Sequence, residues 1–137
     1  MAKESGVGLT VTVDDAAGAG QAISNDVLNL TFGMPSGVED VTGVNSSAHE
    51  RLVLLADFKV ELTLGFNDAA SMSFAVFKAY RTLAANQVGR TTVIAHSGQT
   101  LTQEVLYTDM AGTRAADGSL VLNVPGSIAN GTFNAWA

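Results

Sequence analysis

The sequence predicts a mainly β, single-domain β-sandwich or barrel with one flanking α-helix at about residues 69–84. Three observations carry this. Apolar and polar residues alternate with period two through several short runs, Gly, Asn and Asp cluster between those runs, and only one stretch carries apolar residues at the helical period. With 137 residues, 47% of them apolar, the chain 1–137 fits one domain around one core.

Taken in order, Val7, Leu9, Val11 and Val13 share one face of a strand over 7–14, and residues 14–26, rich in Gly, Ala and Asp, form a connector. Leu28, Leu30 and Phe32 alternate with Asn29 and Thr31 in a second strand. Segment 33–50 has little period and reads as a loop longer than most in compact domains. The most regular alternation follows, with Phe58, Val60, Leu62, Leu64 and Phe66 set against Lys59, Glu61, Thr63 and Gly65. Long and free of proline, that strand is a candidate sheet edge for pairing with a second copy, so that the sheet continues from one subunit to the next.

The helix opens at Asn67–Ser71, with Asp68 and Ser71 as cap candidates. Met72, Ala75, Val76, Ala79, Tyr80 and Leu83 form its apolar stripe. A step of about 100° per residue turns Phe74, Phe77 and Arg81 to the opposite side, where the two phenylalanines are expected against a second subunit or an adjacent loop. Residues 91–96 and 100–110 form a hairpin through Ser97–Gln99, its longer strand losing strict alternation around Val105–Leu106. Leu120, Leu122 and Val124 mark a further strand expected to stop at Pro125–Gly126, and a last short one is expected at 132–136.

Seven Lys and Arg against 13 Asp and Glu leave −6, which disfavours a sequence-independent grip on nucleic-acid phosphates or anionic lipid. The absence of cysteine excludes disulfides, thiolate metal sites and a cysteine nucleophile. The longest apolar run, Leu52–Ala56, is far short of the ~20 residues of a membrane-spanning helix. The N-terminus carries no apolar signal region and reads as a cytoplasmic start. No nucleophile elbow or phosphate loop occurs, and neither His49 nor His96 has partners at metal-ligand spacing. No catalytic residue, cofactor or metal is therefore expected.

The order of features over residues 20–137 resembles a known family. Ile23-Ser-Asn-Asp26 leads into a strand, followed by Pro35-Ser-Gly-Val-Glu-Asp-Val-Thr-Gly43 and by Ala48 to Asp57 ahead of a strand ending Gly65-Phe-Asn-Asp68. Then come Val76-Phe-Lys78, the hairpin through Leu101 to Asp109, Arg114-Ala-Ala-Asp-Gly118, Leu120 to Gly126 and a Gly131 to Trp136 ending. This resembles the tail tube (major tail) proteins of long, non-contractile-tailed bacteriophages, the siphophages. The resemblance implies a structural virion protein made in the host bacterial cytoplasm. Six copies would self-assemble into a homo-hexameric ring, and stacked rings would form the viral tail tube for DNA ejection. The implied partners are further copies of the chain, tape-measure and other tail proteins, and phage DNA passing without specific binding, with no membrane involved. Two alternatives stay open: another small β-rich virion protein, for capsid decoration or head–tail completion, and a carbohydrate-binding β-sandwich module.

Candidate sites follow from combining patterning with this resemblance. Phe74, Phe77 and Arg81 are subunit-interface candidates. The N-terminal arm 1–6 and the loop 33–50, with Glu39, Asp40, Glu50 and Arg51, are candidates for ring-to-ring contact. The polar strand faces carrying Asn29, Thr31, Asp57, Lys59, Glu61 and Thr63 are candidates for the lumen. Alternation alone does not separate the inside of a tube from its outside, so an outer solvated face stays open for these six.

Overall fold

The computed structural model describes residues 3–15, 17–78, 89–129 and 132–137. Ten strands and one short helix succeed one another: β1 (Thr10–Asp14), β2 (Gly20–Ala22), β3 (Val27–Gly33), β4 (Ser36–Asp40), β5 (Arg51–Ala56), β6 (Lys59–Gly65), α1 (Ser73–Phe77), β7 (Arg90–His96), β8 (Gln99–Tyr107), β9 (Ala111–Arg114) and β10 (Leu120–Ile128). Eight strands form one antiparallel sheet in the order β2-β1-β7-β8-β10-β6-β3, with β9 alongside β10, while β4 and β5 pair only with each other. The sheet curls on itself. Val11 and Val13 of β1, near one end of that order, share a single buried cluster with Val60, Leu62 and Leu64 of β6 near the other. Leu9 and Val11 face β3 across a groove of about 290 Å³, so the curled sheet is a barrel left open between β1 and β3.

Alternation is obeyed where one face meets this core. In β6 the inward row Val60, Leu62 and Leu64 is buried while Lys59 and Glu61 are exposed. This strand is central, paired to β3 on one side and β10 on the other, so the expectation that 58–66 supplies a free edge is corrected. The unpaired flank belongs to β3, which bonds only β6 and carries a bulge at Leu28.

The β7–β8 hairpin turns at Ser97 (φ 50°) and Gly98 (φ 78°), between the paired His96 and Gln99. Two successive residues in the left-handed region match the right-handed twist of the flanking strands. The expected loss of alternation in β8 does not occur. The apolar Leu106, which breaks the alternation beside Val105 in the sequence, stays half-buried on the outer face, while Leu101, Val105, Tyr107 and the polar Gln103 all point inward. Its amide donates to Asn134 O at 2.6 Å and accepts from Asn134 N at 3.2 Å, satisfying a buried polar group and tying down the C-terminal segment. Residues 132–137 form no strand; they run beside β8, fixed again by the reciprocal backbone bonds of Ala137 and Thr100, both 2.9 Å.

Pro125–Gly126 does not stop β10, which runs on to Ile128. The Pro125 carbonyl accepts from Thr108 N at 3.3 Å, so its nitrogen faces the same side, at the gap between β8 and β9 where no ladder bond is lost. Gly126 then lets β10 approach β8, because a Cβ there would lie 2.5 Å from Val105 Cγ1 and 2.9 Å from Tyr107 Cδ1.

The described helix is shorter than expected, Ser73–Phe77, and the expected residues 79–84 lie outside the described ones. Neither Asp68 nor Ser71 caps it. Asp26, far back in the sequence, accepts from Ser73 N at 3.2 Å and from Asn67 Nδ2 at 3.1 Å, while Ser73 Oγ donates to Gly65 O at 2.6 Å. The long loop expected at 33–50 is also corrected. Its first part is β4, which pairs with β5 through Val38↔Val53, Glu39↔Leu52 and Asp40↔Arg51 to make a hairpin arm. The arm leaves the barrel between β3 and β6, at the opposite end of that strand pair from α1.

Replacing Gly126 with alanine is expected to cost about 1–3 kcal/mol, the usual range for overpacking a filled core. Denaturant unfolding measures it as a lower midpoint at unchanged slope.

Candidate functional site

The helix end of the barrel separates the two phenylalanines. Phe77 is fully buried, edge-on to Tyr107 at 5.0 Å and 73°, with the Arg90 guanidinium 5.8 Å from its ring centre. It is a core residue of its own chain and is withdrawn from the subunit-interface candidates. A five-residue helix set against the barrel end buries more than one stripe, which is why a projection drawn for a long helix misplaced it. Phe74 stays half-buried, stacked on Phe66 at 4.7 Å, and Phe66 is itself 43% exposed. Arg81 lies outside the described residues.

Arg90 and Tyr107 are the polar groups of this end. Burial holds the Arg90 guanidinium below its ordinary value, and its Nη1 donates to Val76 O at 2.6 Å. Burial pushes the Tyr107 phenol above its ordinary value, against the opposing pull of its 2.6 Å contact with Thr92 Oγ1 and of Arg90.

The arm has the opposite character. Every residue of β4 and β5 is exposed, including Val38 (56%) and its partner Val53 (73%) on one face, Leu52 (54%) and Leu54 (49%) on the other, and Leu55 (90%) at the register shift between Ser36 and Val38. A two-stranded ribbon with apolar residues on both faces and no core is not stable by itself. A contiguous apolar surface on a projecting element marks a contact site. The polar residues expected there divide into two sets. Asp40 accepts from Thr42 N at 3.0 Å and from its hydroxyl, meets His49 Nδ1 at 2.9 Å, and is held below the ordinary carboxylate value by these hydrogen bonds. Glu50 accepts from Ser46 Oγ at 2.6 Å, and its N–H donates to Thr42 Oγ1 at 2.9 Å. These two build the arm's tip, whereas Glu39 and Arg51 extend from β4 and β5 with no ion pair among the described residues.

Asn29, Thr31, Lys59, Glu61 and Thr63 come together on the outer face of the β3–β6 pair, through Asn29↔Thr63 and Thr31↔Glu61. Glu61 accepts from Asn123 Nδ2 of β10 at 3.0 Å. Asp57 stands apart at the arm's root, its Oδ1 accepting from Phe58 N at 2.8 Å. Beside that root the face deepens into a groove of about 780 Å³ between Gly33–Pro35, Lys59 and Ser127. Of the N-terminal arm, residues 3–6 are exposed, with Glu4 Oε2 3.9 Å from His96 Nε2.

No protein-family model matches the sequence, and no curated protein matches it. Solved structures do resemble the fold. A chain of the virion of a native gene transfer agent particle superposes with a TM-score of 0.71 at 14% identity, covering 97% of this chain and 100% of that one. A chain from the C6-symmetric tail of an empty gene transfer agent particle gives 0.71 at 16% identity, with 97% and 100% covered. A chain of the 6-fold symmetrised anti-feeding prophage baseplate gives 0.60 at 12% identity, with 100% and 96% covered. At these identities the likeness is one of fold.

Two predictions follow from the contrast between the helix end and the arm. Phe77→Ala should destabilise the isolated chain by about 3–5 kcal/mol, as for a buried aromatic, whereas Leu55→Asp should change it by less than about 0.5 kcal/mol. Paired denaturant titrations of the two variants measure this. Tyr107 is buried neutral, so its folded value lies above its unfolded one; the stability it contributes is present in full below about pH 10 and is lost as pH rises beyond it. Alkaline melts of wild type and Tyr107→Phe should show the upper limb flattened in the variant.

Proposed function

We propose that the chain is a non-enzymatic structural subunit of a phage-like tail, whose copies assemble into sixfold rings that stack into a tube. The observation that carries this is the hairpin arm, a β-ribbon with apolar residues on both faces that none of the described residues covers. Burying side chains of this size against a second copy contributes about 1.5–3 kcal/mol each before the cost of association. The fold likeness to chains of sixfold tail and baseplate particles supports the same reading.

In this reading the arm and residues 1–6 reach a neighbouring ring, Phe74 lies at a subunit contact, and the open flank of β3 is where one sheet meets the next. The outer face of β3 and β6 lines the bore. Lys59 and Glu61 cancel there, leaving Asn29, Thr31 and Thr63, a polar surface without the clustered cations that would hold phosphate, so DNA slides rather than adheres. The tape-measure and other tail proteins are the further partners of this reading. The baseplate likeness favours a second reading in which copies stop at a single ring.

Electron microscopy of the concentrated protein separates the two: tubes for the first, closed rings for the second, and monomers against both. Removing residues 43–48 at the arm's tip should leave the melting temperature unchanged and abolish tube growth.

A further inference from the structure

The arm needs a receptor, and the barrel supplies an apolar surface at its other end. The inward row of β6 runs past the core to Phe66, and that of β10 begins outside it at Leu120. The two are joined by the bond from Phe66 N to Leu120 O at 3.3 Å, and Phe74 of α1 stacks on Phe66 at 4.7 Å. Phe66 is 43% exposed and Leu120 39%. The result is an aromatic and aliphatic rim that the chain's own core does not close.

Two cations stand beside this rim. Lys78 lies one helical turn beyond Phe74, and Arg114 is the cross-strand partner of Leu120. Neither has an ion pair among the described residues. Two carboxylates share this end: Asp117, held by Ser119 N at 3.0 Å and Ser119 Oγ at 2.9 Å, and the exposed Asp68. The arm carries Glu39, Asp40 and Glu50 against Arg51, a net −2 with His49 neutral.

We infer that the rim formed by Phe66, Phe74 and Leu120, flanked by Lys78 and Arg114, receives the hairpin arm of a second copy of this chain. This rests on the proposed self-assembly and deepens it by naming the receiving surface. Leu52 and Leu54 of the arm cover the rim, and Glu39, the cross-strand partner of Leu52 on that same face, meets the flanking cations. Arm and receptor lie at opposite ends of the β3–β6 pair, so the contact is heterologous and adds the next copy along the strand direction. It therefore joins rings in a stack and leaves contacts within a ring to other surfaces.

The cysteine-free chain makes the test direct. In assembled Leu52→Cys/Leu120→Cys protein, mild oxidation or a short bismaleimide should give a ladder of covalent multimers, whereas either single variant, with cysteine set opposite leucine, should stay monomeric. Lys78→Glu/Arg114→Glu, checked by thermal melt to be folded, should give rings without tubes, and adding Glu39→Lys should restore tubes. Tubes from the Lys78→Glu/Arg114→Glu variant as abundant as wild type, or assembled double-cysteine protein that stays monomeric on denaturing gels, would overturn the inference and leave self-assembly standing. Wild-type protein that remains monomeric at every concentration would overturn the self-assembly reading, and this inference with it.

Discussion

The rest of the structure depends on the burial of one strand row. Phe58, Val60, Leu62 and Leu64 are each at most 3% exposed, and β6 bonds neighbours on both flanks. Slipping this strand by one residue would turn Lys59, Glu61 and Thr63 into the core, so its register is tightly specified. What precedes and follows β6 is thereby delivered to opposite ends of the barrel, the arm to one and α1 to the other. Asp26 then ties the helix end back to the start of β3 by bonding both Asn67 and Ser73. The two ends of this one strand pair thus carry the molecule's apolar arm and its apolar rim.

How much was legible in the sequence follows from where burial is one-sided. β1 and β6 were recoverable because each sets one face against the core, and period two is the trace of that asymmetry. In β3 the pattern breaks at the bulge, where Leu28 is 63% exposed, and the inward row of β7 includes the polar Arg90 and Thr92. β5 left no such trace. Its run Leu52–Leu55 is apolar on both faces because neither face meets a core in the isolated chain, so the pattern rule had nothing to detect. The short β2 and β9 are exposed or nearly so along their length and escaped for the same reason. Leu106 misled in the other direction, since an apolar residue on the outer face beside Val105 reads as lost alternation, whereas the inward row continues through Gln103, a buried amide satisfied by Asn134.

The candidate site was legible in outline and misread in detail. The segment after β3 was recognised as exceptional by its length and charge, yet two of its four charged residues are engaged within the arm. Asp40 and Glu50 organise the tip through Thr42, Ser46 and His49, a role that hydrogen-bond geometry reveals and composition does not. The apolar run beside them, first noted only as too short for a membrane, is the stronger signal. In a chain with 15% charged residues, five consecutive apolar side chains outside the core are where a partner is needed. The outward face of β3 and β6 was placed correctly as solvent-facing, because alternation decides inside from outside even where it does not decide which outside.

The asymmetry between the two ends also bears on how copies can associate. If arm packed against arm about a twofold axis, the apolar faces would satisfy each other, and association would end at a dimer. The charges oppose that arrangement: each arm is net negative, and bringing two together juxtaposes Glu39, Asp40 and Glu50 with their own images. The rim end, where Lys78 and Arg114 are balanced by Asp68 and Asp117, offers the arm apolar area at Phe66 and Leu120 without that repulsion. An arm that disfavours itself and suits the opposite end selects head-to-tail contact, and head-to-tail contact along the strand direction does not close on itself. In the proposed assembly the acidic tip would therefore discriminate: it would keep an exposed apolar ribbon from ending as a dimer and leave head-to-tail addition as the remaining way to cover it.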